Sequence, residues 1–225
     1  MKIRDKVAEY ILHAFLPSRC PYCGEIILPN TKACTVCQKK IQPVNTVNPL
    51  RKSICISPFF YRDIYKKTVL TLKFRKRPYY AAAMSVYMVE ALREKADITD
   101  ISKLDIVTCV PPSGESYQER GYNPSELLAK GVAKHIEIPF QKLLKKVRDT
   151  AVQHTLYSAK ERQSNLLNAF AVRKNCSAKI QNRTVLLVDD IMTTGATLNE
   201  CCQTLYRSGA KKVICITYAY VESKG

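Results

Sequence analysis

This chain has no hydrophobic run that approaches the roughly 20 residues a helix needs to cross a bilayer, which argues against a transmembrane protein. Acidic residues are also few. The chain has 19 Asp and Glu but 36 Lys and Arg, which gives a formal net charge of +17. Low-complexity tracts are absent, and the paired cysteine motifs are the one internal repeat, so a repeat architecture is not indicated. A length of 225 residues then fits one large domain, alone or with a small module.

The excess of positive charge indicates anionic partners. A field of this sign attracts nucleic acid, phosphorylated metabolites or anionic membrane surfaces. The charge by itself leaves open whether it serves binding or only solubility. Hydrophobic residues make up 46% of the chain, which is enough for a sizeable core.

The first fifteen residues predict an amphipathic helix rather than a secretion signal. Acidic residues interrupt the apolar positions, and no small-residue cleavage site follows, so we expect a cytoplasmic protein. Residues 41–50 contain two prolines and two asparagines and are interpreted as a linker. We therefore divide the chain into residues 1–45, with the helix and a cysteine module, and a larger domain at residues 50–225.

Beyond this linker, candidate strands alternate with candidate helices. The apolar, β-branched runs predict strands at Ile54–Tyr61, Ile106–Val110, Arg183–Val188 and Lys212–Tyr220. Helical periodicity predicts helices at Asp63–Phe74, Tyr79–Glu94, Ser125–His135 and Leu198–Ser208. The alternation predicts an α/β fold in which helices flank both faces of a parallel sheet.

The most informative segment is 185–197, which reads Val-Leu-Leu-Val-Asp-Asp-Ile-Met-Thr-Thr-Gly-Ala-Thr. Its apolar start predicts a buried strand with Asp189 and Asp190 at the carboxyl end, where open α/β sheets bind ligands. The Thr/Gly-rich continuation opens a helix, whose N–H groups and dipole suit a phosphate, and Gly195 permits close approach of the backbone. The two acids suit a ribose diol, with a divalent cation offsetting the remaining charge. The alternative is an acidic turn with threonine helix caps.

This segment closely resembles the phosphoribosyl pyrophosphate signature of type I phosphoribosyltransferases. The resemblance implies that Asp189 and Asp190 hold the ribose hydroxyls of phosphoribosyl pyrophosphate, which binds with Mg²⁺. It also implies that the 5-phosphate is bound by the following loop, composed of Thr193, Thr194, Gly195, Ala196 and Thr197.

A second loop in residues 107–123 also suits an anion. A predicted strand ends in Pro111-Pro-Ser-Gly114, whose N–H groups can face a pyrophosphate, and Arg120 adds a forked cation. Downstream lies a polar stretch without clear strand character, interpreted as a flap that neutralises a leaving pyrophosphate. Its candidate residues are Lys145, Lys146, Arg148, Gln153, Lys160, Arg162 and Asn165. The alternatives are an ordinary loop with a surface arginine and a solvated basic face.

Four of the ten cysteines form two C-x-x-C pairs, which are Cys20 with Cys23 and Cys34 with Cys37. Two such knuckles supply four sulfurs to one tetrahedral site, which suits a structural Zn²⁺ because no position remains for catalytic water. A disulfide or a redox pair is the alternative. The other cysteines lie in predicted strands and helices or are scattered, and those in the apolar elements are interpreted as reduced core residues.

Further motifs narrow the resemblance. Arg120-Gly-Tyr-Asn123, the spaced residues from Arg148 to Phe170 and the Val-Asp-Asp loop are similar to the ComF family, over about Cys20 to Tyr220. That family joins an N-terminal four-cysteine zinc module to a type I phosphoribosyltransferase-like parallel sheet flanked by helices. The resemblance implies a role in DNA uptake and natural transformation, with single-stranded DNA and a competence helicase as partners. The chain departs from the family at Pro124, where members often have glutamine.

Two functions stay open at the level of the sequence, with a regulator of nucleotide metabolism as a third. A binding protein would hold phosphoribosyl pyrophosphate and engage single-stranded DNA, with rings in Phe59–Arg62, in Lys73–Tyr80 and at Tyr117 stacking on bases. An amidophosphoribosyltransferase-like enzyme would transfer the phosphoribosyl group to an unknown nitrogen acceptor. Its catalytic candidates are Arg120, Lys145 and Arg148.

Overall fold

A computed structural model describes residues 17–28, 31–75, 77–147 and 169–222 of the chain. The amphipathic helix predicted for the first fifteen residues lies outside these ranges. Within them, every helix is too short or too polar to cross a membrane.

The described strands form one six-stranded sheet and one separate pair. The large sheet contains β1 (Thr46–Pro49), β2 (Ile54–Ser57), β3 (Phe59–Phe60), β4 (Ile106–Cys109), β7 (Thr184–Met192) and β8 (Lys212–Tyr220). Its order is β1-β2-β8-β7-β4, with β3 also paired to β8, and every pairing except that of β1 with β2 is parallel. The antiparallel pair consists of β5 (Leu144–Lys146) and β6 (Phe170–Val172).

The described helices are α1 (Thr35–Gln38), α2 (Asp63–Phe74), α3 (Tyr80–Glu94), α4 (Gly114–Arg120), α5 (Pro124–Ile136) and α6 (Ala196–Arg207). Helix α5 shows why these segments are helical. The Asn123 side chain accepts a hydrogen bond from the N–H of Ser125, and Pro124 occupies the first turn, where a missing N–H costs nothing. The departure from the family at Pro124 is therefore compatible with the start of a helix.

Side chains that alternate along the strands build a core on each face of the large sheet. On one face, Val107, Leu186 and Ile216 belong to an apolar cluster with residues of α3 and α5. On the other face, Val185 and Leu187 belong to a cluster with α6 and the β5–β6 pair. Each fully buried aliphatic side chain contributes about 1.5–3 kcal/mol. The predicted α/β class, with helices flanking a mostly parallel sheet, is confirmed.

The structure corrects four details of the predicted elements. Part of the interpreted linker is the edge strand β1, which tolerates Pro49 because an edge strand need not donate every N–H. The predicted strand Ile54–Tyr61 is divided at Pro58, which has no N–H to donate. The polar stretch near Lys145 does contain a strand, β5. Strand β7 continues to Met192, so the two acids lie within it rather than after it.

Candidate functional site

Two carboxylates lie side by side near the carboxyl end of β7, and each has a defined partner. Asp189 accepts a hydrogen bond from the Ser125 hydroxyl at 2.7 Å and another from the N–H of Asp190 at 2.9 Å, both through Oδ1. Oδ1 of Asp190 lies 2.8 Å from Nζ of Lys73, which α2 supplies. The acidic pair is thus held by a hydroxyl from α5 and an ammonium from α2.

The environment raises the pKa values of Asp189 and Lys73. Burial raises the pKa of Asp189 to about 7, and the charge of Asp190 adds to the increase, whereas Ser125 and Lys73 oppose it. Burial alone would lower the pKa of Lys73, but the Asp190 carboxylate outweighs that effect, and the pKa is raised. Lys73 is therefore a charged ammonium at neutral pH.

The loop after β7 leads directly into α6. Thr193 and Thr194 are exposed, and Gly195 has a φ of +72°, in the left-handed region that favours glycine. A Cβ at this position would lie 2.8 Å from Cδ2 of Leu50, so a side chain would also collide. The first N–H groups of a helix have no partner within the helix, and they attract anions. The start of α6, including Ala196 and Thr197, thus presents such groups next to the acidic pair.

A cavity of about 260 Å³ lies between the acidic pair, Thr193 and the loop after β4. Arg120 borders the cavity from the end of α4, with its guanidinium carbon 4.9 Å from the centre of the Phe74 ring. Its Nε is buried and has no hydrogen-bond partner among the described residues. The residues that line the cavity include Lys73, Ser113, Arg120, Asn123, Ser125, Asp189, Asp190 and Thr193.

Lys145 does not reach the acidic pair. It lies on β5 and borders a neighbouring cavity of about 600 Å³, together with Lys142, Lys146 and Arg173. The two cavities share the loop that begins at Pro111. The structure therefore brings Arg120, but not Lys145, to the predicted ligand loop. The remaining flap candidates, which are Arg148, Gln153, Lys160, Arg162 and Asn165, lie outside the described residues.

Two polar groups in this site, Ser125 and Lys73, were not predicted from the sequence. Ser125 follows Asn123 and Pro124, a pattern that indicated the start of a helix but no contact with Asp189. Lys73 belongs to a basic run that was interpreted as a surface for nucleic acid. Its contact with Asp190 depends on how α2 packs against the sheet, and no local pattern encodes that.

The aromatic residues proposed to stack on bases are only partly accessible. That prediction is wrong for Phe59, which is fully buried and stacks on Tyr65 with 4.0 Å between ring centres. Tyr80 is buried as well. Tyr79 and Tyr117, at 40% and 45% exposure, remain available for stacking.

The four paired cysteines form one cluster. The sulfurs of Cys20, Cys23, Cys34 and Cys37 all lie within 4.8 Å of one another, and those of Cys23 and Cys34 are 3.6 Å apart. Zn–S bonds of about 2.3 Å place tetrahedral sulfurs about 3.8 Å apart, so the cluster fits such an ion. The N–H of Cys37 donates to Sγ of Cys34, which lowers the pKa of that thiol to about 7 and favours the thiolate that a metal needs. All ten cysteines are free of disulfide bonds. That the four paired cysteines bind Zn²⁺ stays a prediction.

The cysteine cluster packs against the large domain through tyrosines. The hydroxyls of Tyr22 and Tyr218 are 2.7 Å apart, and the Tyr22 ring meets those of Tyr65 and Tyr87 edge to face. The Thr68 hydroxyl of α2, which donates to the carbonyl of Ile64 at 2.8 Å, also lies 3.2 Å from the carbonyl of Pro21. Helix α2 therefore contacts the cluster and, one turn later, supplies Lys73 to the acidic pair.

Known proteins resemble the chain along most of its length. Residues 123–225 match the phosphoribosyl transferase domain. The DNA utilization protein YhgH of Escherichia coli (strain K12) is 30% identical over 195 residues, which cover 86% of this chain and 80% of that protein. Competence protein F of Haemophilus influenzae is 27% identical over 222 residues, covering 88% of this chain and 95% of that protein.

Solved structures show a weaker likeness. Glutamine phosphoribosylpyrophosphate amidotransferase from B. subtilis is 20% identical, with a TM-score of 0.41, over 66% of this chain and 30% of that chain. No function follows from a likeness of that size. The extended match to the DNA utilization and competence proteins identifies the family, and it agrees with the phosphoribosyl transferase domain and the cysteine cluster. The chain belongs to the ComF family.

Proposed function

We propose that the chain binds a 5-phosphoribosyl ligand, phosphoribosyl pyrophosphate first of all, at the carboxyl end of β7. The observation that carries this proposal is that Asp189, Asp190 and Thr193 line one cavity, with the Gly195 turn and α6 following directly in the chain. A ribose is a hydrogen-bond donor to carboxylates, and a phosphate is an acceptor for the N–H groups at a helix start. One ligand with both groups matches both features.

The hydrogen bonds around the acidic pair leave room for such a ligand. Within the described part of the chain, the partners of Asp189 and Asp190 contact Oδ1 of each carboxylate. The Oδ2 atoms are then available for the two hydroxyls of a ribose. Arg120 borders the same cavity from the side of the Pro111 loop, where its cation suits phosphate oxygens.

That Mg²⁺ binds together with the ligand stays a prediction. Such an ion neutralises pyrophosphate oxygens and prefers free carboxylates and water. Asp190 is already paired with Lys73, and Asp189 shares its Oδ1 between two donors. The protein residues therefore do not fit a dedicated Mg²⁺ site, and the oxygens of the pyrophosphate itself would have to supply most of the ligands.

The pH dependence of binding tests the role of Asp189. Because its pKa is raised, Asp189 should lose its charge at a pH where most aspartates are still ionised. A protonated carboxyl is a weaker acceptor for a ribose hydroxyl, so we expect affinity for phosphoribosyl pyrophosphate to fall as pH decreases through about 7. The ligand phosphates also titrate near pH 6. Calorimetry on wild type and D189N separates the two effects, since only wild type should show the additional decrease attributed to Asp189.

We also propose single-stranded DNA as a partner, in DNA uptake and together with a competence helicase. The relatives named for DNA utilization and competence support this role, as does the net charge of +17. Exposed cations surround the larger cavity, at Lys142, Lys145 and Arg173, with the exposed ring of Tyr117 beside them. A groove with cations and an aromatic ring matches the general chemistry of single-strand binding.

A titration with single-stranded DNA at several salt concentrations tests this partner. We expect the logarithm of the affinity to fall linearly with the logarithm of salt. Changing Lys145 and Arg173 to alanine should reduce the slope by about 0.7 for each lost phosphate contact. K103A is the matched control, because Lys103 is exposed and pairs with Asp100 away from this cavity. Absence of binding at low salt, or binding without a salt slope, would refute the DNA proposal.

The larger cavity keeps a second function open, namely transfer of the phosphoribosyl group to a nitrogen acceptor. It adjoins the Pro111 loop and has a volume of about 600 Å³, which is enough for a small molecule. Arg120, which borders the adjoining smaller cavity, is then the candidate cation for the displaced pyrophosphate. A screen for pyrophosphate release across nucleobases and amines, with and without DNA, decides between transfer and binding alone.

A further inference from the structure

Helix α2 brings a lysine into the ligand cavity, and the phosphoribosyltransferase resemblance does not account for it. Nζ of Lys73 lies 2.8 Å from Oδ1 of Asp190, and the two side chains are only 21% and 9% exposed. Both residues line the cavity with Arg120 and Ser125. The contact is therefore part of the site and not a surface ion pair.

Charges within this cavity are balanced by the protein itself. Asp189 and Asp190 supply the negative charge, and Lys73 and Arg120 supply the positive charge. A divalent cation binds where carboxylate oxygens are free and negative charge is in excess. Lys73 removes the second condition, because its charge offsets that of Asp190 and would repel a second cation placed beside it, and it also occupies Oδ1 of Asp190.

The neighbours of Lys73 hold it in place. The buried Thr68 hydroxyl, on the same helix, lies 3.2 Å from the carbonyl of Pro21 in the cysteine module and shares its proton with the carbonyl of Ile64. The carbonyl of Leu72 accepts a hydrogen bond from the Tyr122 hydroxyl, and the ring of Phe74 lies under Arg120. Contacts on both sides thus fix the end of α2, and the ammonium is positioned before any ligand binds.

We propose that Lys73 is a specificity-determining residue whose ammonium takes the place of a protein-bound divalent cation at the acidic pair. It neutralises Asp190 and fixes the orientation of that carboxylate for a ribose hydroxyl. The site then accepts a 5-phosphoribosyl monophosphate without metal. This inference rests on the proposed phosphoribosyl site and goes further, because it adds ligands that carry no pyrophosphate to those that the site accepts.

Calorimetry with ribose 5-phosphate, in EDTA and in excess Mg²⁺, tests the role of Lys73. Wild type should bind equally in the two buffers. K73M should bind about tenfold more weakly in EDTA and regain affinity with Mg²⁺, because its acidic pair is then free to take the ion. K73R retains the charge and should stay independent of metal. K67M is the matched control, since Lys67 is exposed on the same helix and should behave as wild type.

Two different failures can be told apart. Wild-type binding that disappears in EDTA, with K73M equal to wild type in both buffers, overturns the role of Lys73 and leaves the phosphoribosyl site intact. If neither ribose 5-phosphate nor phosphoribosyl pyrophosphate binds wild type in either buffer, the site itself is refuted and the role of Lys73 with it. Melting curves identify a variant that fails to fold, and if K73M does fail, loss of wild-type binding in EDTA still contradicts a site that works without metal.

Discussion

Replacing Asp189 and Asp190 together with alanine should weaken binding of phosphoribosyl pyrophosphate at least about a hundredfold. In the proposed site each carboxylate accepts a hydroxyl of the ribose, and a hydrogen bond to a charged group is worth about 1.5–3 kcal/mol. Two such losses correspond to roughly a hundredfold or more in affinity. Isothermal titration calorimetry of wild type and D189A/D190A measures this difference directly.

The same variant needs a control for folding and for charge. Removal of the acids relieves their mutual repulsion but leaves the ammonium of Lys73 without its partner, so we expect a folded protein of somewhat changed stability. D97A removes an exposed carboxylate away from the site and should bind as wild type. Unchanged affinity in a folded D189A/D190A protein would contradict the assignment of the acidic pair.

Loss of one cysteine ligand should have the second large effect. Cys20 is fully buried, and three sulfurs cannot complete a tetrahedral shell. We predict about one Zn per chain in wild type and expect C20S to lose it. Metal binding and folding of the module are coupled, and the melting temperature should fall by roughly 10 °C. Metal analysis and thermal melting of the purified protein provide the two measurements.

A cysteine outside the cluster supplies the control for this substitution. Cys176 is partly exposed, and its thiol contacts the carbonyl of Lys142 at 3.8 Å, so C176S should keep the metal and the stability of wild type. Wild-type protein that is purified anaerobically, is folded and contains no metal would count against a metal site at the four cysteines.

The parts of the site that could be predicted are those that one short segment encodes. Strand β7, the Gly195 turn and α6 follow one another directly, so hydrophobic pattern and residue type define them without knowledge of the tertiary structure. The four cysteines were predictable for the same reason, because each knuckle is local and two knuckles imply one tetrahedral site.

The parts that could not be predicted depend on contacts between distant segments. Lys73 reaches Asp190 because α2 packs beside the end of β7, and a basic run by itself indicates only a charged surface. Lys145 was expected at the ligand but lies across the Pro111 loop, since the position of β5 is set by its pairing with β6. Phe59 was interpreted as a ring for base stacking, whereas its pairing with β8 buries it.

The contacts of α2 also connect the two sites. Thr68 contacts the cysteine module and Lys73 contacts Asp190, so one helix is fixed by both. The cysteine module therefore contributes to the position of a residue that lines the proposed ligand cavity. This arrangement gives a physical reason for the two parts of the chain to occur together.

The central claim is that phosphoribosyl pyrophosphate binds at the carboxyl end of β7. The crystal structure of protein crystallised with this ligand tests it most directly. The account predicts the 5-phosphate at the N–H groups of the loop from Thr193 to Thr197 and the ribose hydroxyls on Asp189 and Asp190. The contradicting result is a ligand bound elsewhere, for example in the cavity beside β5, with the acidic pair still unoccupied at saturating ligand.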